Sequence, residues 1–387
     1  MAPIIKIPLF DLRLSSQAKK EVAAVLKRGW LTTGPAVTRL EKGIAKLTRV
    51  PFAAALNSGT SGLQATLAAL GVGPGREVIT SPLTFVATVQ AIMAVGARPI
   101  LADVDLDTMC LDPDEVERKI GGRTAVVMPV DMAGLPANYE RLVPICESHK
   151  LPLISDAAHA MGATCRRKTI PQLADAAVYS FYSTKNITCG EGGMVVSRHQ
   201  MLIDAVRTLA RHGLTSNAHA RNRSGDWQYD ALGLGLKANM SDLHAAVGLG
   251  QLAVFSENQQ RRRRLVERYR KNLGVLDDFL VLPSSPKGYQ HAWHLFVIRL
   301  RLSRLKIDRT RLIELMARRG IQCGVHFQPI FELSFYRQAL GLSENFFPNT
   351  AYLGRRVVTL PLYPHLKFSE VDQVCEAVAS ILKRHRR

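Results

Sequence analysis

The chain has 387 residues, 47% of them hydrophobic and 21% charged, with a formal net charge of +19. That length exceeds one ordinary core, and that balance excludes a disordered or fibrous chain. The first residues carry no apolar stretch of signal length and no later window reaches the ~20 uncharged apolar residues of a membrane span, so a cytoplasmic protein is expected.

Two helical stretches come first, about residues 15 to 28 and 38 to 48. Gly29, Gly34 and Pro35 interrupt them, so 29–35 reads as a loop that makes Trp30 available for contacts. From Ala53 to Ser197 short β-branched runs alternate with longer amphipathic ones, with strand candidates at 77–80, 98–102, 124–128 and 151–155. This alternation predicts an α/β fold with a mainly parallel, helix-covered sheet. From Met240 to about Asn272 one long helical pattern begins at a candidate cap, Ser241, and runs through the arginines at 261–264. The domain boundary is placed inside it: 1–255 as the large domain, 256–387 as a smaller α/β domain with a strand at 294–298 and helices near 308–319 and 369–385.

The six cysteines lie without a CxxC pair or nearby histidine spacing, which indicates reduced thiols and neither a zinc site nor a disulfide framework. The positive charge suits a polyanionic partner or a negatively charged small substrate. Basic residues are mostly dispersed, with local runs at 261–264 and 383–387 and no nucleic-acid-binding motif beside them.

Lys185 stands in a turn between an apolar strand candidate, 176–179, and the glycine-rich 189–193. Partial desolvation lowers the pKa of such an amine, as Schiff-base chemistry with an aldehyde requires; a solvated loop lysine is the competing reading. Asp156 directly follows the strand candidate 151–155, and an acid at the carboxyl end of a parallel strand faces the ligand crevice. If pyridoxal 5′-phosphate (PLP) lies there, Asp156 can keep the pyridine nitrogen protonated so that the ring absorbs electrons; a helix N-cap is the alternative. His159, three residues on, sits near the same ring or is a partly buried structural histidine. The small residues of Asn57-Ser58-Gly59-Thr60-Ser61-Gly62 precede a helical stretch and can cradle an anion, Gly59 permitting close approach and Thr60 offering a hydroxyl. Neither the P-loop nor the dinucleotide fingerprint fits them. Phe85, at the next strand-to-helix junction, either stacks on an aromatic cofactor or belongs to the core.

With Gly59-Thr60, Phe85, Asp156-Ala-Ala-His and Ser180-Phe-Tyr-Ser-Thr-Lys185 in this order and spacing, the chain resembles the PLP-dependent nucleotide-sugar aminotransferases of the DegT/DnrJ/StrS group over essentially its whole length. It looks closest to the branch that aminates the 4-keto position, typified by the UDP-4-amino-4-deoxy-L-arabinose aminotransferase, through residues 29–35, 185–189, 191–193 and 291–296. The resemblance implies a fold type I aminotransferase whose active sites form at a homodimer interface. It makes Lys185 the Schiff-base lysine and Asp156 the partner of the pyridine nitrogen. It also gives the phosphate to Gly59, Thr60 and Ser180, the ring stack to Phe85 and a place beside the ring to His159. The second subunit reaches the phosphate through a Gly-x-Asn-x-Arg segment in this family; here that stretch is Gly235-Leu236-Lys237-Ala238-Asn239, and Lys237 and Asn239 take its place. Asp131 stands where the family commonly carries His, which would add negative charge beside the cofactor and bear on sugar recognition. Trp30, Thr32 and His326 are the candidate substrate contacts.

The implied reaction moves an amino group from L-glutamate to a nucleotide-linked keto-sugar, with Lys185 carrying the proton in both halves. Two readings compete with it. A PLP-dependent keto-sugar dehydratase is opposed by Lys185, because dehydrating members of the family replace that lysine with His. A non-catalytic binding or regulatory protein is opposed by the complete catalytic set.

Overall fold

The computed structural model describes residues 4–215 and 227–387. Its main strands are β1 (Phe52–Leu56), β2 (Glu77–Thr80), β3 (Arg98–Leu101), β4 (Thr124–Met128), β5 (Ile154–Asp156), β6 (Ala176–Ser180), β7 (Gly193–Ser197), β8 (Leu280–Val281), β9 (Phe296–Leu300) and β10 (Val357–Leu360). β2 lies parallel between β3 and β4, and β5 is parallel to β6. Isolated parallel bridges from Val127 to Leu153 and from Val130 to Asp156 carry the sheet across from β4 to β5. β7 runs antiparallel to both β6 and β1, which completes the order β3-β2-β4-β5-β6-β7-β1. Every residue of β2, β5 and β7 is buried, as helix cover on both faces requires. The expected strands are all present, but β5 begins at Ile154, not 151, and ends on Asp156 itself.

The first two helices are Ser16–Arg28 and Pro35–Thr48. The second begins before the expected residue 38. Pro35 opens it without losing a useful donor, and its next two N–H groups, Ala36 and Val37, donate to the carboxylate of the buried Asp242 at 3.1 and 3.0 Å.

The single long helix expected from Met240 is two helices, Asp242–Ala253 and Phe255–Leu273, broken at Val254. The first packs against Ser16–Arg28 so closely that a Cβ on Gly250 would lie 2.2 Å from the Ala18 Cα. The second turns away to the C-terminal helix Phe368–Arg384, where Arg268 donates to the Asp372 carboxylate at 2.7 Å. One straight helix cannot serve both partners.

The antiparallel sheet β8-β9-β10 builds a second apolar cluster, which includes Leu265, Phe296, Val358 and Leu382. β9 starts at Phe296, two residues beyond the expected 294, because residues 291–294 form a kink. Trp293 there has φ +50° and its ring stacks on His291 at 3.8 Å. The arginine run at 261–264 is not a uniform surface patch, since Arg262 is buried and donates to the carbonyls of Trp293, His294 and Leu362. All six cysteines are free thiols. No helix among the described residues is long and apolar enough to cross a membrane.

Candidate active site

The carboxyl ends of β1, β5 and β6 and the start of β7 meet at one edge of the sheet, where the predicted residues gather. At β1 the chain passes through Asn57 and Ser58 into the helix Gly59–Ala69. Ser58 caps it, its Oγ accepting from Ser61 N at 3.0 Å. The N–H groups of Gly59 and Thr60, first in the helix, have no intrahelical acceptor and lie at its positive end. Gly59 lets the helix start lie close to β6, since a Cβ there would be 3.1 Å from the Ser180 Cβ, tighter than nine in ten real contacts. Helix start and Ser180 thus form one narrow cradle of phosphate-binding character.

At the end of β5, Asp156 is buried and accepts at Oδ2 from Thr88 Oγ1 (2.7 Å) and at Oδ1 from Ala158 N (3.2 Å). Burial raises its carboxyl pKa, while the Thr88 bond, the Ala158 bond and the charge of Lys185 act the other way. The loop between β6 and β7 carries Lys185 half-buried, and desolvation lowers its amine to about 8 against the pull of Asp156. The next residue, Asn186, is buried and anchors that loop: its amide donates to Gln259 Oε1 (3.0 Å) and to the Ala292 carbonyl (2.8 Å), and its Oδ1 lies 3.2 Å from His294 Nδ1.

His159 is buried, with its ring 4.5 Å from that of His294 and stacked at 5.7 Å on Phe327. Burial, then the nearby charge of Lys185, holds its pKa well below the ordinary value, so the ring is neutral. Its Nδ1 is a buried polar atom with no protein partner. Phe85 is 57% exposed, which rules out a core role, and its ring lies 5.9 Å from Phe327. His326 is half-buried, with Nδ1 2.8 Å from Thr359 Oγ1, and burial followed by the Lys185 charge lowers its pKa to about 4.

Other expected contacts lie elsewhere in this chain. Trp30 Nε1 donates to the Thr33 carbonyl at 3.0 Å, and Thr32 is exposed, its carbonyl accepting from Asp242 N at 3.2 Å. Asn239 turns its amide to Thr33 Oγ1 (2.8 Å), and Lys237 is exposed. Neither side chain reaches the cradle of its own chain, although their backbone runs beside it, with Asn57 N donating to Ala238 O at 2.7 Å.

Asp131 corrects an expectation. Its side chain lies on the Ser155 face of β5, opposite that of Asp156, because successive residues of a strand point to opposite sides. The fully buried carboxylate accepts from Ser155 Oγ (2.6 Å), Ala137 N (2.8 Å) and the Tyr139 hydroxyl (3.0 Å), and burial pushes it up to about 7. It ties β4 to β5 from behind and leaves no oxygen for a sugar. Sequence reasoning gave no role to Thr84, Thr88, Asn186, Gln259, His294 or Phe327; the signals available were the closeness of Thr84 and Thr88 to Phe85, of Asn186 to Lys185 and of Phe327 to His326, and the place of His294 in the motif 291–296.

An anion cradle, an enclosed acid at a strand end, an exposed aromatic ring and a lysine of lowered pKa on one edge fit pyridoxal phosphate, and the orphaned His159 Nδ1 adds a polar contact for it. The sheet order and this site define a fold type I PLP aminotransferase. The chain belongs to the DegT/DnrJ/EryC1/StrS aminotransferase family, whose sequence pattern matches residues 13–379. It is 38% identical over 366 residues to the spore coat polysaccharide biosynthesis protein SpsC of Bacillus subtilis, covering 94% of each chain. The PLP form of Spr1654, described as a sugar aminotransferase of Streptococcus pneumoniae, superimposes with a TM-score of 0.90 at 30% identity, over 98% of this chain and 99% of that one. DesI, solved in the presence of its TDP-sugar product, superimposes with a TM-score of 0.87 at 29% identity, over 99% of this chain and 93% of that one. The protein is accordingly a PLP-dependent sugar aminotransferase.

Proposed function

We propose that this enzyme transfers the amino group of L-glutamate to the keto carbon, at C4, of a nucleotide-linked keto-sugar, and that it works as a homodimer with shared active sites. The observation that carries the reading is the meeting of Lys185, Asp156 and the Gly59–Ser180 cradle on one sheet edge. The TDP-sugar product of DesI and the polysaccharide role in the name of SpsC support a nucleotide-linked sugar. When bound, pyridoxal phosphate supplies an aldehyde that takes up an amine and a ring that draws electrons from the breaking bond.

The residues of the chain do the rest. Gly59 and Thr60 N–H groups, with Ser180, hold the phosphate, and the exposed face of Phe85 covers the ring. Asp156 keeps its carboxylate on the pyridine N–H. Lys185, with a pKa of about 8, has both protonation states populated near neutral pH, so its Nζ can take a proton from one carbon and return it to another. His159 and His294, neutral and buried, pack that side of the site without adding charge. The net charge of +19 draws a diphosphate toward the protein.

Leu31, Trp227, Leu232 and Leu234 are 46, 79, 70 and 100% exposed. Apolar surface of this kind on segments flanking the site suits burial against a second copy, which would bring Lys237 and Asn239 to the partner's phosphate.

The test is amine transfer by the PLP-loaded protein from L-glutamate to a panel of UDP-, dTDP- and GDP-linked 4-keto and 3-keto sugars, read by product mass, with light scattering for the assembly state. Transfer to a 4-keto nucleotide sugar, abolished in Lys185→Ala, is expected. Failure with every 4-keto substrate, or turnover by Lys185→Ala, refutes the reading, and a monomer at micromolar concentration refutes the shared site.

A further inference from the structure

Asp156 occupies a poor place for a charge, buried at the end of β5. Its oxygens are held by two bonds of different strength, the 2.7 Å contact from Thr88 being the shorter. Thr88 is 1% exposed, and its hydroxyl lies 2.7 Å from that of Thr84, itself 2% exposed. A hydroxyl has one proton to give. Facing an ionised carboxylate, Thr88 spends that proton on Asp156 Oδ2, so Thr84 must donate to Thr88. The three groups then form a one-way chain from Thr84 through Thr88 to Asp156. A short O–H···O⁻ bond favours the ionised acceptor and opposes the effect of burial. It also fixes the plane of the carboxylate. The helix Val86–Ala94 that carries Thr88 begins directly after Phe85, so one rigid element sets both the ring-covering aromatic and the acid.

We propose that Thr88 is a positioning residue for amine transfer, holding Asp156 ionised and turned so that its remaining lone pairs face the pyridine N–H of the bound cofactor. This rests on the assignment of Asp156 given above. Thr84 sets the direction of the Thr88 hydroxyl.

The holoenzyme loaded with ring-labelled [15N]PLP reports pyridine protonation by NMR without reference to turnover. Thr88→Val keeps the branched shape and removes the O–H. It is expected to move the ring-nitrogen resonance toward the unprotonated form and to lower kcat about 10- to 100-fold, with KM for glutamate changed less than about threefold. Thr88→Ser, which restores the donor, should return both readouts close to wild type. Thr84→Val, which removes only the outer link, should cost about 3- to 10-fold in kcat. A Thr88→Val holoenzyme with wild-type resonance and wild-type kcat overturns the proposal. If that variant fails to retain cofactor, Thr84→Val with both readouts unchanged overturns it instead. Asp156→Asn separates the two assignments. Should it too keep the wild-type resonance and turnover, the role of Asp156 itself falls; should it lose both while Thr88→Val keeps both, only the role of Thr88 falls.

Discussion

Gly193 opens β7 against the phosphate cradle, and a methyl group there has no room. An ideal Cβ would sit 2.3 Å from the Ser58 carbonyl oxygen, 2.4 Å from its carbon and 2.6 Å from Gly59 N. All three are backbone atoms, so relief to 3.0 Å, below which real Cβ contacts essentially never fall, needs a shift of about 0.7 Å. β7 is held in register on both sides, Gly193 pairing with Leu56 and with Ser180. The element free to give is therefore the start of the helix Gly59–Ala69, which is the cradle itself. Overpacking of this kind costs about 1–3 kcal/mol. Displacement of one or two phosphate hydrogen bonds, about 1 kcal/mol each or more with a charged acceptor, should raise the Kd for PLP about 10- to 100-fold. Titration of cofactor-free Gly193→Ala with PLP, followed by absorbance, measures this, and thermal unfolding of the same samples gives the stability loss. Gly122→Ala is the control, since nothing lies within 4 Å of its Cβ. Wild-type Kd and Tm in Gly193→Ala, or an equal effect from Gly122→Ala, would refute the reasoning.

In cofactor-free protein the neutral Lys185 amine is the form that captures PLP, and with a pKa of about 8 the capture rate should rise about tenfold from pH 7 to a plateau above pH 9; a rate flat across that range is the contrary result in stopped flow. The same depressed pKa means that the fold disfavours the charged amine. The Lys185 contribution to stability is thus greatest above the unfolded value of 10.5, declines as pH falls toward about 8 and levels off below it. Asp156→Ala should keep the fold by circular dichroism and lose most amine transfer, and near-normal turnover would count against its role. Asp242→Ala leaves the Ala36 and Val37 N–H groups without their acceptor inside the protein, so denaturant unfolding should show a loss of about 2–4 kcal/mol. Asp242→Asn, which keeps an acceptor, should lose less, and an unchanged midpoint for the alanine variant would show that the cap contributes nothing.

The sheet and the principal site residues were legible in the sequence because their signals are local. Buried strands such as 77–80 and 124–128 announce themselves as short β-branched runs, and Asp156 announces itself by following one. What was not legible depends on partners far along the chain. Pro35 reads as a helix breaker until Asp242 arrives to cap its helix. The break at Val254 reflects two helix surfaces to be served in different directions, while the local apolar pattern continues straight through it. Asp131 looks like an active-site charge by motif position, yet just past the end of β4 its side chain meets the Ser155 face of β5, at the back of the sheet, where Ser155 and Tyr139 enclose it. Thr88 carries no sequence mark of its own, and only its place one turn into the helix after Phe85 brings it to Asp156.

The reversed strand β7 has a consequence for Lys185. Because β7 runs back from the edge at which β6 arrives, the loop between them leaves and re-enters the sheet at a single point, closed by the Ser180–Gly193 pair and again by the bridge between Tyr182 and Gly190. The amine is a reagent on a short closed tether, at high effective molarity along one arc and absent everywhere else. A flexible loop lengthens at a cost of only about 0.6 kcal/mol for each doubling, but this loop is not flexible, since Asn186, Ile187, Thr188 and Cys189 are all buried. Residues inserted among them would lose that packing and send the nitrogen along the wrong arc, so that here the fold and the chemistry set one and the same limit on length.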